Sequence, residues 1–238
     1  MKKILLIIED DFEINSTFNF VFNDESEFHV NDLVMNTNSS ITFNNKSKLS
    51  IYNTFNLNPG TTLIFNNDSK LKLIGSLIST GESSNKVTIN LSSTPLELQF
   101  QITDAMILEI DNTIFNNNGI VYSLSSGFEP ENFLITNSIF NNPVNGYAIQ
   151  LNPGAASFQT IPLISNCTFN NCSIGAIYFG KTHSINIENN SISLGLNAVG
   201  IYMSNCGVVN IFDCIINGGA RGISTPLPHP DEDIQENL

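Results

Sequence analysis

Seven side chains in the middle of the chain could act on a ligand. Phe128, Glu129 and Glu131 lie in one polar stretch, Phe158 and Gln159 in a second, and Lys181 and His183 in a third. Carboxyl, amide, ammonium and imidazole groups together can donate to and accept from sugar hydroxyls. A Glu beside a His could also move a proton near neutral pH. The two Phe rings could lie against sugar faces, or equally cap a core. Other reactive types are sparse. The lone Arg, Arg221, precedes Gly222 and Ile223 and reads as a solvated turn residue rather than a base. Cys167, Cys172, Cys206 and Cys214 are separated by 4, 33 and 7 residues. That leaves no CxxC pair and no His at zinc-finger distance, so they read as small half-buried residues. A disulfide stays open, because spacing cannot assign one. No catalytic residue and no metal ligand is assigned. The acidic surface leaves Ca²⁺ open, but no EF-hand or nonapeptide Ca²⁺ pattern is present.

The three polar stretches matter only if the fold gathers them, and an internal repeat says that it does. Phe22-Asn-Asp-Glu-Ser-Glu-Phe-His-Val30, Phe43-Asn-Asn-Lys-Ser-Lys-Leu-Ser-Ile51 and Phe65-Asn-Asn-Asp-Ser-Lys-Leu-Lys-Leu73 share the pattern F-N-[ND]-x-S-[EK]-[LF]-x-[IVL], spaced 21 and then 22 residues apart. The second and third copies agree at six of nine positions. Looser copies continue the series at Ile89, Phe115, Phe140, Phe169, Ile192 and Ile215. A second apolar series runs Ile110, Ile135, Ile164, Ile187, Ile211, and a third runs Ile149, Ile177, Ile201, Ile223. Three apolar anchors per repeat, each in a stretch alternating with period two, predict three short strands per coil. Strands without a partner in their own coil must pair with the next coil, which is a β-solenoid of about nine coils and three parallel sheets. At about 4.8 Å per coil the rod is roughly 40 Å long. The first two polar stretches then become insertions after Leu124 and Leu151 at one corner, where the next coil offers Gly180-Lys181-Thr182-His183. They fit solvated loops of variable length, and they fit the wall of a ligand groove.

Composition agrees. Asn accounts for 36 of 238 residues, while Ala appears 7 times against 31 Ile and 17 Phe. Such a chain favours strands and turns over helices, and the fold class is all-β. At 41% hydrophobic residues it can bury a core. A net charge of −13, with nine Lys plus Arg, lacks the basic surface that phosphate backbones require, so nucleic acid is excluded as a partner. No apolar run approaches the length of a membrane span, so membrane insertion is excluded too. The leucine ladder of a leucine-rich repeat is missing from the second half.

Residues 1–13 read as an edge strand or cap. The basic start and five apolar residues fall short of a secretory h-region, and Glu9-Asp10-Asp11 follow at once. The opening is similar to that of a response-regulator receiver for about eleven residues and then diverges. Residues 14–224 read as the β-helix domain. Residues 225–238, with three prolines and then acids and amides, read as a tail or linker, and the uncapped end suggests a piece of a longer chain.

Gly175-Ala-Ile-Tyr-Phe, Ile185-Asn-Ile-Glu-Asn-Asn-Ser-Ile192, Gly200-Ile-Tyr-Met and Ile211-Phe-Asp-Cys-Ile215 resemble the right-handed parallel β-helix repeat of the pectin-lyase-like superfamily. Asn166-Cys-Thr-Phe169-Asn-Asn-Cys172 also resembles repeats of polymorphic outer-membrane and adhesin-like surface proteins. The resemblance covers about residues 14–224 and implies a right-handed helix. The acidic strings of that superfamily's lyases and hydrolases are absent here. The reading is therefore a non-catalytic secreted or cell-surface domain, adhesin-like or glycan-binding, with a polysaccharide or cell-surface glycan as partner. The alternative is a polysaccharide lyase or glycoside hydrolase. An extracellular or cell-surface location is expected, although no convincing signal peptide accompanies it.

Overall fold

The computed structural model describes residues 3–91, 96–99, 106–123, 132–152, 160–180, 184–225 and 234–237. It is a parallel β-solenoid with three sheets, and no helix occurs among the described residues. Sheet I stacks nine strands in chain order: Asn19–Phe22, Ser40–Phe43, Thr62–Phe65, Val87–Leu91, Thr113–Asn116, Ile139–Asn141, Thr168–Cys172, Ser191–Leu194 and Ile215–Gly218. Nine stacked strands make eight turns from first to last. Sheets II and III begin together, because Leu5–Ile14 and Glu27–Met35 each bend across both. Sheet II continues through Lys48–Ile51, Lys70–Leu73, Leu96–Gln99, Ile120–Ser123, Tyr147–Asn152, Gly175–Gly180, Val199–Ser204 and Arg221–Ser224. Sheet III continues through Thr54–Leu57, Ser76–Thr80, Ile107–Asp111, Asn132–Thr136, Leu163–Ser165, Ser184–Glu188, Val208–Phe212 and Ile234–Asn237. The last of these strands lies within the stretch read as a tail.

Period-two alternation places every second side chain inside, where it meets its equivalent one coil on. Ile110, Ile135, Ile164, Ile187 and Ile211 pair in one register and are buried. Ile149, Ile177, Ile201 and Ile223 pair likewise on sheet II, the first three buried and Ile223, in the last coil, partly so. The Phe series forms two stacks. Phe22, Phe43 and Phe65 lie 4.9 and 5.1 Å apart, and Phe115, Phe140 and Phe169 repeat those distances. Between them Val87–Leu91 slips by two residues: Leu91 sits on Phe65, while Ile89 sits under Phe115. The ninth anchor needs correction. Ile216, not Ile215, pairs with Ile192, and Ile215 is 62% exposed. Two adjacent isoleucines made the pattern ambiguous by one residue, which flips the face of a strand.

The repeat motif is a turn written in sequence. In its three copies the pairs Asp24-Glu25, Asn45-Lys46 and Asn67-Asp68 all have positive φ. Two successive left-handed residues make a primed turn. The buried Ser that follows donates its hydroxyl back across the turn, from Ser47 to the Asn44 carbonyl at 2.5 Å and from Ser69 to that of Asn66 at 2.6 Å. From the fifth coil the corner between sheets III and I tightens to a single left-handed residue: Asn112, Asn137, Asn166, Asn189 and then Asp213. Short polar side chains tolerate this backbone better than other non-glycine residues.

The residue after each left-handed Asn or Asp points inward: Thr113, Ser138, Cys167, Asn190, Cys214. Ser138 donates to the Thr136 carbonyl at 2.7 Å, and the Cys167 thiol to that of Ser165 at 3.3 Å. Cysteine here takes a serine's place. All four cysteines are free, three buried and Cys214 partly so. Burial pushes the Cys167 and Cys172 thiols up to about 12. A thiol reagent at pH 8 should label Cys214 first and leave Cys167 and Cys172 unreacted until denaturant is added; fast labelling of Cys172 in the native protein would contradict the burial.

Phe140→Ala empties a position packed between Phe115 and Phe169 and should cost about 3–5 kcal/mol. Asn141→Ala removes one amide link to Asn116 and one to Asn170 and should cost about 1–2 kcal/mol. Urea unfolding curves of equal midpoint for the two variants would contradict the register.

Candidate ligand-binding surfaces

A solenoid's sheets are set by stacking, so differences between coils collect at the corners. The corner between sheets II and III is tight in the first coils. There Gly75, at φ +132°, lies so close that a Cβ would meet the Asn53 carbonyl oxygen at 1.8 Å. From the fourth coil the connections at this corner lengthen, to 7, 8, 10, 3, 3 and 9 residues at 100–106, 124–131, 153–162, 181–183, 205–207 and 225–233. Phe128, Glu129, Glu131, Phe158, Gln159, Lys181 and His183 all belong to these connections, and all lie outside the described residues. Their anchor points are described. Ser123 pairs with Asn152, and the following register places Asn152 beside Gly180. The strand ends from which these connections start therefore stack one above another. Sequence reading found two long insertions here and overlooked 100–106, which follows a strand lacking a clear repeat anchor.

Beside this corner, sheet II carries an outward row of aromatic rings. Tyr178 pairs with Tyr202, and their rings are nearly parallel with centroids 5.5 Å apart. Tyr147 lies 5.4 Å from Tyr178, inclined by 50°. Its ring covers Gly175, where a Cβ would lie 2.2 Å from Tyr147 Cε1, so glycine is required beneath the ring. Gln150 pairs with Tyr178 and extends the row. Burial raises the Tyr147 and Tyr178 phenols above their ordinary value, with the neighbouring tyrosines adding to it, so both remain protonated donors at neutral pH. Tyr178 and Tyr202 are 24 residues apart, the same step as Ile177 and Ile201, so the sequence did hold the signal for this pair.

At the other end of sheet II, Glu27 gathers a polar cluster. Its carboxylate accepts from Lys3 at 2.9 Å and Lys48 at 3.4 Å, and meets His29 Nε2 at 3.2 Å. His29 Nδ1 lies 2.8 Å from the Tyr52 hydroxyl. Close by, Asp11 and Asp32 face each other on paired strands. The hydrogen bond between their carboxyls, and then their mutual repulsion, raise Asp11. Arg221 is exposed and donates to Ser224 Oγ at 3.2 Å. Among the described residues no three His, Cys, Asp or Glu side chains gather as a metal site.

The corner between sheets III and I changes abruptly. Its connections hold 4, 4, 4 and then 6 residues, and 1 or 2 thereafter. The step leaves an open depression of about 510 Å³ beside Lys86.

The chain matches no protein-family model, no curated protein and no solved structure. Its surfaces must be read on their own chemistry.

Glu27 supplies a pH test. The Lys3 hydrogen bond first, and then that of His29, hold its carboxyl at about 2, against 4.5 unperturbed. A depressed folded value stabilises the fold above pH 4.5 and loses that effect as pH falls towards 2. Glu27→Gln should therefore lower the melting temperature at pH 7 and match the parent protein near pH 2. A deficit that persisted unchanged at pH 2 would show that the cluster acts through packing instead.

Proposed function

We propose that this protein is a non-catalytic, secreted or surface-exposed β-solenoid that binds a glycan along sheet II. The observation that carries the reading is the row Tyr147, Tyr178 and Tyr202 beside the one corner where long connections leave successive coils. Aromatic rings with protonated hydroxyls offer apolar contact and hydrogen bonds together, which a sugar ring needs. Gln150 adds an amide that can both donate and accept. Coil spacing of about 4.8 Å repeats these groups along the rod, as residues repeat along a polysaccharide. The connections at 124–131, 153–162 and 181–183, which carry the Glu, Gln, Lys and His candidates, would form the wall of this surface. The resemblance to pectin-lyase-like and adhesin-like repeats supports a glycan partner and an extracellular setting. The depleted charge supports a neutral rather than a nucleic-acid partner. Binding should be weak, because a shallow face excludes little water.

The test is a glycan array followed by titration of any hit. Tyr178→Ala and Tyr202→Ala should each weaken binding about tenfold while melting stays near that of the parent. Reducing-end and unsaturated-product assays on the same glycans, and on uronic-acid polymers, should show no turnover. Turnover, or binding indifferent to both substitutions, would refute the reading.

A further inference from the structure

The ledge beside Lys86 lies on a different corner from sheet II's tyrosines and carries its own chemistry. Its wall is the 81–86 connection, closed as a tight turn by paired backbone bonds between Glu82 and Asn85 at 3.2 and 3.0 Å. The turn is fastened at both ends to the next coil: Gly81 N–H donates to the Asp111 carbonyl at 3.0 Å, and Val87 N–H to that of Asn112 at 3.2 Å. Its floor is the narrowed corner, where Asn137 and Asn166 are exposed and Ile139 and Thr168 partly so. A depression of about 510 Å³ lies within the usual small-ligand range of about 300–1,000 Å³.

The polar groups are held in place. Lys86 Nζ donates to Asn112 Oδ1 at 2.9 Å and to the Asn137 carbonyl at 3.1 Å. Both acceptors are neutral, and no carboxylate of the described residues forms an ion pair with Lys86. An ammonium has three hydrogens, so one remains for a ligand. The Asp111 carboxylate, next to Asn112 in the chain, is occupied: Thr136 and Asn137 donate to its Oδ1 at 2.7 Å each, and Asn112 to its Oδ2 at 2.8 Å. Asn137 spends an amide hydrogen on Asp111, and Asn166 spends one on Ser165. Each still has an amide oxygen that can accept and a second N–H that can donate, and both residues line the depression. Ser83 and Thr168 contribute hydroxyls that act either way.

The site thus offers donors and acceptors in mixture, with Ile139 as an apolar patch. An inorganic oxyanion only accepts, and it would meet amide oxygens in a protein of charge −13. A polyol needs both kinds of partner. We propose that this ledge binds a neutral pyranose residue, with Lys86 as the anchoring donor, at a site separate from the tyrosine face.

The test is a backbone-amide NMR titration with methyl glycosides of glucose, galactose, mannose and N-acetylglucosamine, each up to tens of millimolar. At least one should shift the amides of Ser83, Lys86, Asn112, Asn137 and Asn166 together. Lys86→Gln should weaken that binding about three- to tenfold, the loss of one hydrogen bond. Should Lys86→Gln unsettle the wall, Thr168→Arg fills the floor without touching the 81–86 turn and should abolish the shifts. Tyr178→Ala should leave them unchanged. The proposal is overturned if no glycoside shifts these amides, if only sulfate or phosphate does, or if Tyr178→Ala removes the response. The last outcome would leave the tyrosine face as the sugar site and the ledge as plain surface.

Discussion

Everything in this molecule depends on pairing between coils. Among the described residues no strand has a hydrogen-bonding partner within its own coil, so each must find one in the coil before or after. Parallel in-register pairing at about 4.8 Å sets like on like. Inside, this rewards flat rings and matched branches, hence the Phe stacks and Ile columns. At the corners it demands backbone that turns sharply without a clash against the identical turn above. Asn meets that demand through its tolerance of left-handed angles. Its amide also donates and accepts, so stacked copies satisfy each other, as from Asn66 to Asn44 to Asn23. The chain's unusual Asn content is therefore a consequence of stacking.

Freedom survives only where stacking does not act. Sheets cannot vary without breaking register, but a corner can lengthen outward. The rod uses this freedom differently along its length. In the first four coils the corner between sheets III and I is wide, and that between II and III is tight in the first three. Around the fourth coil the long and short connections change places, first between II and III at 100–106 and then between III and I at 112. The exchange falls where Val87–Leu91 slips by two residues, so one change of register accompanies both. The tyrosine face lies against the widened corner and the Lys86 ledge against the narrowed one.

The period, the three anchors per coil and the sheet order were legible because stacking repeats its signals in sequence. The lapses came where the repeat gives two equivalent answers. Ile215 and Ile216 both fit the pattern, and only the pairing with Ile192 decides. Two Phe stacks looked like one, because Ile89 fits the spacing on both sides of a slip. Tyr178 and Tyr202 were visible as repeat members, yet period two alone does not mark an outward aromatic as a binding group when its neighbours are the anchors. The ledge was less legible still. It arises from a difference in connection length between two coils, and Lys86 reaches two coils onward, to Asn112 and Asn137. Such a contact leaves no trace in local spacing.

The acidic residues follow from the same ladders. In the amide links the side-chain nitrogen of one coil donates to the oxygen of the coil before it: Asn45 to Asp24, Asn53 to Asp32, Asn36 to Glu13, Asn137 to Asp111. A ladder therefore has a direction. Its interior members must donate and accept, which an amide does and a carboxylate cannot. Its first member need only accept. A carboxylate does that better than an amide, since a charged acceptor makes a stronger bond. Each of these four ladders begins on an acid. At Asp111 burial alone would raise the carboxyl, but the donations from Thr136, Asn137 and Asn112 outweigh it and hold it below the ordinary carboxylate value. The lysines obey no such rule, since an ammonium cannot accept at all. Part of the negative charge is thus placed by the polarity of the amide ladders, independently of any partner that the surface meets.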